Sequence, residues 1–371
     1  MNYLKAFITS KIGQEISKGD DNYAYNLKDL NFAVSDGAST LFASNIFSRL
    51  LVDAFSINGE GLFSPDVSKK ITSDWHQEVS QWVACQGNPW YLVNDLNDPK
   101  KWAGATFAGL KLFKGQDENI YWKSYCLGDA VLVFVPDEGK QPSLIYTTNL
   151  EDRNPKYSEN IVFNNSPLLT SPFGLQQYWL KMWTSDSILL EKGTFLLMTD
   201  AIAEWFLASP VGTIADRFDK LIALNSQDDF LQFVNTERRV RLQNNFQPFH
   251  DDDVTLMIFH IDSIDSVIQG EDVKDYTDYD YRTQILIEDS KELQGRMKTV
   301  YDEKSTLKTE KGRLETENST LKAEKGRLET ENGMLKAEKG KLETENTTLK
   351  AKNNSSNLLN DVGGTKKTKK K

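Results

Sequence analysis

The sequence predicts a layered α+β globular segment followed by a long helical coiled coil. Over residues 1–265, strand-like apolar runs rich in β-branched and aromatic residues do not alternate regularly with helices, which favours α+β layers over a parallel sheet. The same stretch holds all eight tryptophans, enough apolar material for a sizeable core. Beyond Tyr301 no aromatic residue occurs, and leucine recurs at every seventh position instead. A chain of 371 residues exceeds what one core usually organises, so more than one unit is expected.

The strand-like runs are NFAVSD, GATFAGLKLF, NIYWKSYCL, AVLVFV, TFLLMTD and DVTLMIFHI. Helix-compatible stretches fall at about 40–55 and 65–85, where apolar residues recur at three and four. The expected organisation is a globular domain over 1–265, a linker over 266–285, a heptad coiled coil over 286–352 and a disordered Lys-rich tail over 353–371.

In the heptad segment Leu286, Leu293, Val300, Leu307, Leu314, Leu321, Leu328, Leu335, Leu342 and Leu349 form one column. With leucine at d, the a positions are Lys311, Asn318, Lys325, Asn332, Lys339 and Asn346, so the seam is half polar. Asparagine there favours a parallel dimer and lowers its stability. Glu fills the g positions, while e alternates through Lys308, Glu315, Lys322, Glu329 and Lys336, so self-pairing gains and loses charge contacts about equally. Gly312, Gly326, Gly333 and Gly340 each cost a helix about 1 kcal/mol against Ala. The expectation is a marginal helix that makes a weak parallel homodimer or pairs with a heterotypic partner of better-matched charge.

A formal charge of −10 argues against nucleic acid, since phosphate contacts need a basic face; only Lys366 to Lys371 are strongly basic, read as a solvated tail. Cys85 and Cys126 sit among apolar and aromatic neighbours and read as reduced buried thiols, not a disulfide framework. The N-terminal residues lack a signal-peptide apolar core, and no run reaches the ~18 apolar residues of a spanning helix, so a soluble, cytoplasmic protein without membrane partners is expected.

Carboxylates stand at the tips of four apolar runs: Asp20 and Asp21, Asp36, Asp200, and Asp251 to Asp253. A tight turn centred on Lys28 and Asp29 pairs residues whose numbers sum to 57, which sets Asp21 opposite Asp36. Asp200 closes one strand and Asp252 opens another, so antiparallel neighbours bring both to one sheet edge. Like charges so gathered must be protonated, splayed into water or neutralised by cations. Hard oxygen ligands suit Mg²⁺ or Mn²⁺, and three histidines in the whole chain make a poor zinc site. Taken singly, each acid is an ordinary turn or strand-entry residue, and only their joint pattern points to metal.

The order and spacing of these pieces resemble the metal-dependent protein phosphatases of type 2C, the PPM family, from Ile12 to about Ile261. GDDNYAY is similar to the family's first acidic pair, FAVSDGAS to its Asp-Gly strand, GATFAGL to its Gly-x-Thr strand and CLGDAVLVF to its Gly-Asp turn. FLLMTDAIAEW resembles the later Asp-Gly strand, and DDVT the entry to the last core strand, with Asp253 in an Asn position. The resemblance implies an antiparallel β-sandwich flanked by helices, four layers in the order αββα. It implies two Mn²⁺ or Mg²⁺ ions held by Asp21, Asp36, the Gly37 carbonyl, Asp200 and Asp252, with Asp129 beside a third, weaker ion. Asp36 bridges the ions and Asp20 supports the water shell in that reading, so both are assigned to catalysis. The sequence departs from the family at Ile16, where a phosphate-contacting Arg is usual, at Ala38 to Thr40, at Ala201 and at Glu204.

The implied activity is hydrolysis of phosphoserine or phosphothreonine in a phosphoprotein substrate by a metal-activated water, with no covalent intermediate. The alternative is a weak or silent phosphatase-fold module that binds a phosphorylated partner, and a third reading is a scaffold whose repeat tail does the work.

Overall fold

The runs VLVFV and FLLM are apolar without interruption because both faces of those strands are buried. The computed structural model describes residues 1–14, 19–138, 142–146, 172, 174–179, 181–207, 214–240, 249–267, 273–277 and 279–361. The chain divides into two units, Met1–Gln294 and Gly295–Lys371.

The first unit contains strands β1 (Tyr3–Thr9), β2 (Asn22–Asn26), β3 (Asn31–Ser35), β4 (Phe107–Lys114), β5 (Ile120–Leu127) and β6 (Val131–Pro136). They are followed by β7 (Leu144–Tyr146), β8 (Trp183–Thr184), β9 (Ile188–Leu189), β10 (Gly193–Met198), β11 (Val254–Ile261) and β12 (Lys274–Asp275). One sheet has the order β12-β1-β11-β10-β6-β7, and the other β2-β3-β4-β5-β8 with β9 also on β5. Every pairing is antiparallel except that of β12 with β1.

The sheets pack face to face. Phe32 of β3 stacks on Phe259 of β11 at 4.5 Å between ring centroids, and Trp122 of β5 meets Phe195 of β10 edge-on at 4.9 Å. Such pairs add about 0.5–1.5 kcal/mol beyond their burial. Helices α1 (Ser44–Asn58), α2 (Pro65–Cys85), α3 (Trp90–Asn97) and α4 (Leu175–Trp179) lie on the β3-β4-β5 sheet, where Phe47, Leu51, Phe55 and Trp75 bury against Ala33 and Phe107. Helices α5 (Asp200–Leu207), α6 (Ile214–Ile222) and α7 (Gln227–Glu237) cover the other sheet, where Phe206, Leu221 and Phe230 bury against Phe7, Val133 and Ile258. The result is helix, sheet, sheet, helix.

Buried Lys5 fixes one of these layers. Its Nζ donates to the carbonyls of Ile222 at 2.9 Å and Leu224 at 2.6 Å, satisfying acceptors at the C-terminal end of α6.

Helix α2 spans the expected residues, with Ser64 accepting from the Val67 N–H and Pro65 at the first turn. Helix α1 begins four residues later than its expected start at 40, because Ala43 adopts a left-handed conformation at φ 57 and the chain first turns from Ala38 to Leu41. Within the span expected as a linker, β12 hydrogen-bonds to β1 through Lys274 N–H to Asn2 O at 3.0 Å and Tyr276 N–H to Leu4 O at 2.9 Å. That span also holds the end of α8 (Ile264–Val267) and the start of α9.

Helix α9 (Tyr279–Asp361) runs through the heptads and on into the stretch expected to be disordered, while 362–371 lie outside the described residues. In the second unit Leu307 through Leu349 are all exposed, and Lys311–Glu315, Lys325–Glu329 and Lys339–Glu343 pair one turn apart, each at 3.9 Å. Exposed pairs of this kind contribute only a few tenths of a kcal/mol. No described helix is long and apolar enough to cross a membrane.

Candidate metal centre

The acids are delivered by four strand ends. Strands β2 and β3 pair from Asn22 with Ser35 to Asn26 with Asn31, the register expected from the turn, so Asp21 and Asp36 follow at the open end of the hairpin. At the closed end the Asn26 Oδ1 accepts from the N–H groups of Lys28 and Asp29 at 3.0 and 3.1 Å, a side-chain turn that fixes the register locally. Gly37 then bridges to Ala105 and donates its N–H to the Asp20 carbonyl at 3.2 Å. A Cβ at Gly37 would stand 2.8 Å from that carbonyl and 2.9 Å from the Ser44 backbone, so only glycine fits.

Asp129 lies in the turn between β5 and β6, reached through Gly128 at φ 85. Asp200 ends the β10 run and opens α5, where its Oδ1 accepts from the Ala201 N–H at 2.6 Å. Asp252 precedes β11, the antiparallel neighbour of β10, so both acids reach the same sheet end.

Their mutual electrostatics show that they converge. Asp36 and Asp21 are close neighbours electrostatically, and Asp36 also interacts with Asp200 and Asp129. Burial and then the Asp253 charge raise the Asp21 carboxyl well above the ordinary range; burial and then Asp21 and Asp200 do the same to Asp36. Burial, followed by Asp129 and Asp252, pushes Asp200 up to about 8. Asp129 is pushed up to about 6, chiefly by burial, and Asp20 to about 6 by burial and Asp253. Glu204, which faces Asp200 electrostatically, pairs with His250 Nε2 at 3.0 Å.

Three side chains missing from the sequence reading, Thr199, Lys11 and Arg238, hold this arrangement. The Thr199 hydroxyl donates to Asp21 Oδ2 at 2.7 Å and accepts from the Thr255 N–H at 2.9 Å. Lys11 places its Nζ 2.9 Å from Asp252 Oδ1. Burial pulls the Lys11 ammonium down, but Asp252, Asp253 and Asp20 outweigh it and its pKa is raised. Thr199 stands beside Asp200 in TFLLMTD, so strand register could have found it; Lys11 has no local signal, because its contact joins residues far apart in sequence.

Buried Asp253 staples the loops, accepting from the Lys11 N–H at 3.0 Å and the Asp20 N–H at 2.7 Å. The Arg238 guanidinium donates to the carbonyls of Ser10, at 3.2 Å, and of Asp252. Ile16, which stands where the resembled family usually has a phosphate-contacting Arg, lies outside the described residues.

Among the described residues no three acidic, His or Cys side chains close into a ready ligand cluster, since Asp36 faces Asp21 and Asp252 faces Lys11. The donor set nevertheless fits a hard divalent cation. Asp21 Oδ1 is buried without a hydrogen-bond partner, and burial holds both Asp21 and Asp36 well above the ordinary carboxylate range, a cost that a bound cation would relieve.

No family model and no curated protein matches this chain. Solved structures do match. A bacterial serine phosphatase carrying a point substitution is 11% identical over 71% of this chain and 99% of its own, with a TM-score of 0.42. The PPM Ser-Thr phosphatase MsPP from Mycobacterium smegmatis, in complex with cacodylate, is 12% identical over 69% and 97%, with a TM-score of 0.38. The catalytic domain of the serine threonine protein phosphatase PstP, in complex with two manganese ions, is 13% identical over 70% and 99%, with a TM-score of 0.33. At such identities and TM-scores no residue role passes from those proteins to this chain.

Proposed function

We propose that the first unit is a PPM-type protein phosphatase that hydrolyses phosphoserine or phosphothreonine at a binuclear Mn²⁺ or Mg²⁺ site. The observation that supports it most is the convergence of Asp21, Asp36, Asp129, Asp200 and Asp252, with Asp21 Oδ1 buried and unpartnered. When bound, two such ions would lower the pKa of a shared water and polarise the phosphoryl group.

The chain's own residues divide the remaining work. Asp21, Asp36, the Gly37 carbonyl, Asp200 and Asp252 would hold the ions, and Asp129 would serve a third, weaker one. Asp20 titrates near neutrality, at about 6, and so can hold or release a proton at the rim. Thr199, Asp253 and Arg238 fix the donors' geometry through the hydrogen bonds above.

A second reading, a weak or silent module that binds a phosphorylated partner, is favoured by the engagement of Asp252 with Lys11. The exposed leucine column of α9 suits an association segment, as a weak parallel homodimer or with a heterotypic helix. A cytoplasmic setting accords with the two free cysteines.

Hydrolysis of p-nitrophenyl phosphate and of a phosphoserine peptide, measured with and without Mn²⁺, decides between enzyme and silent module. Metal-dependent turnover that Asp36→Asn reduces by at least about a hundredfold supports the enzyme. No turnover despite two bound Mn²⁺, counted by calorimetry, supports the silent module.

A further inference from the structure

We propose that Lys11 is a built-in counter-cation of the acidic rim, which a divalent ion displaces from Asp252 and which then takes an oxygen of the arriving phosphoryl group. The inference rests on the metal-dependent reading of the first unit.

Lys11 is placed by construction. Its N–H is held by Asp253 Oδ1 at 3.0 Å, the next N–H, of Ile12, by Asp251 Oδ1 at 2.9 Å, and the preceding carbonyl, of Ser10, by Arg238 at 3.2 Å. The loop after β1 is thus built onto the loop before β11, and the Lys11 side chain has one acid within contact, Asp252 Oδ1 at 2.9 Å. Its side chain is 28% exposed, so the ammonium sits where rim and solvent meet. Arg238 cannot take that place, because its side chain is 3% exposed, its terminal N–H groups are held by the Ser10 and Asp252 carbonyls, and its Nε lies 3.7 Å from Asp251.

Asp252 therefore has two claimants. A divalent ion coordinated there sets two positive charges beside the ammonium, and the repulsion at that range exceeds what the lysine gains from the shared carboxylate. The flexible four-carbon stem lets the ammonium swing away while the backbone stays pinned by Asp253. Displaced, it remains at the rim as a point charge with free donors, the group that recognises a phosphate oxygen. Position 16 carries isoleucine, which offers no charge to a phosphate.

The two halves of this role pull measured affinities in opposite directions, which a purely structural residue would not do. Calorimetric titration of Mn²⁺ into the metal-stripped full-length chain is expected to show Lys11→Met binding the ion roughly tenfold more tightly than wild type. Lys11→Arg, which keeps the charge, should stay near wild type. Inorganic phosphate titrated into the Mn²⁺-loaded proteins should bind Lys11→Met at least about fivefold more weakly, with Lys11→Arg again near wild type.

Equal or weaker Mn²⁺ binding by a natively folded Lys11→Met overturns the counter-cation role, and unchanged phosphate affinity overturns the phosphate contact. Lys11→Gln repeats both titrations if the methionine variant misfolds. Absence of Mn²⁺ binding by wild type would instead overturn the metal-dependent reading, and this inference with it.

Discussion

One hydroxyl decides which oxygen of Asp21 is left to act. Thr199 donates to Oδ2 and leaves Oδ1 buried without a partner, while the same hydroxyl accepts from the Thr255 N–H. Thr199→Val keeps the volume but removes both bonds, leaving a buried N–H and a buried carboxyl oxygen unpaired. The expected result is a loss of about 1–3 kcal/mol in urea unfolding and, separately, Mn²⁺ affinity lowered roughly tenfold in calorimetry. Thr199→Ser should restore both. A valine variant that unfolds earlier yet binds Mn²⁺ like wild type would limit Thr199 to a structural role. The acids themselves were readable at this scale: Asp21 falls opposite Asp36 because a local turn and a two-residue period fix the register. The partners of the acids were not, because Lys11 meets Asp252 only after β1 and β11 have paired across most of the first unit.

Elements announce themselves when their own sequence carries both pattern and cap. Helix α2 has both, and β11 reads clearly because a strand covered on both faces is apolar at nearly every position. Strand β12 is two residues long, too short for any period, and is a strand only because β1 offers it an open edge. Helix α7 depends visibly on its cap: the Ser226 Oγ accepts from the Asp229 N–H at 3.1 Å, with Asp228 and Asp229 in the positive first turn. This helix buries Phe230 against Phe7 of β1, with ring centroids 5.2 Å apart. Ser226→Ala is expected to destabilise the protein by about 1 kcal/mol and Ser226→Asp by far less, read as urea midpoints at constant slope. Equal midpoints for alanine and serine would mean that packing on β1, not the cap, sets the start of α7.

For the molecule as a whole, the gathered acids make folding and metal binding opposite functions of pH. Unfolded, they titrate near 3.8; folded, Asp20 and Asp129 titrate at about 6, Asp200 at about 8, and Asp21 and Asp36 well above the ordinary value. Between those limits the native state binds more protons than the unfolded chain, so the stability of the metal-free protein falls as pH rises from about 4 to about 8. Glu60 acts in the other direction: burial raises its pKa, but hydrogen bonds from Tyr125 and Lys123 outweigh this and lower it below 4.5. Its contribution is therefore lost only as pH falls below that window; His260, whose pKa burial lowers from the ordinary 6.5, opposes the trend inside it, but as one imidazole against five carboxyls. A bound divalent ion does the neutralising work of those protons, so Mn²⁺ must expel more of them at low pH and stabilises more at high pH. Melting temperatures taken with EDTA and with saturating Mn²⁺ should diverge from about pH 5 to about pH 8, the EDTA curve falling while the Mn²⁺ curve stays nearly level. Parallel curves would show that the ion binds elsewhere than among these five carboxyls.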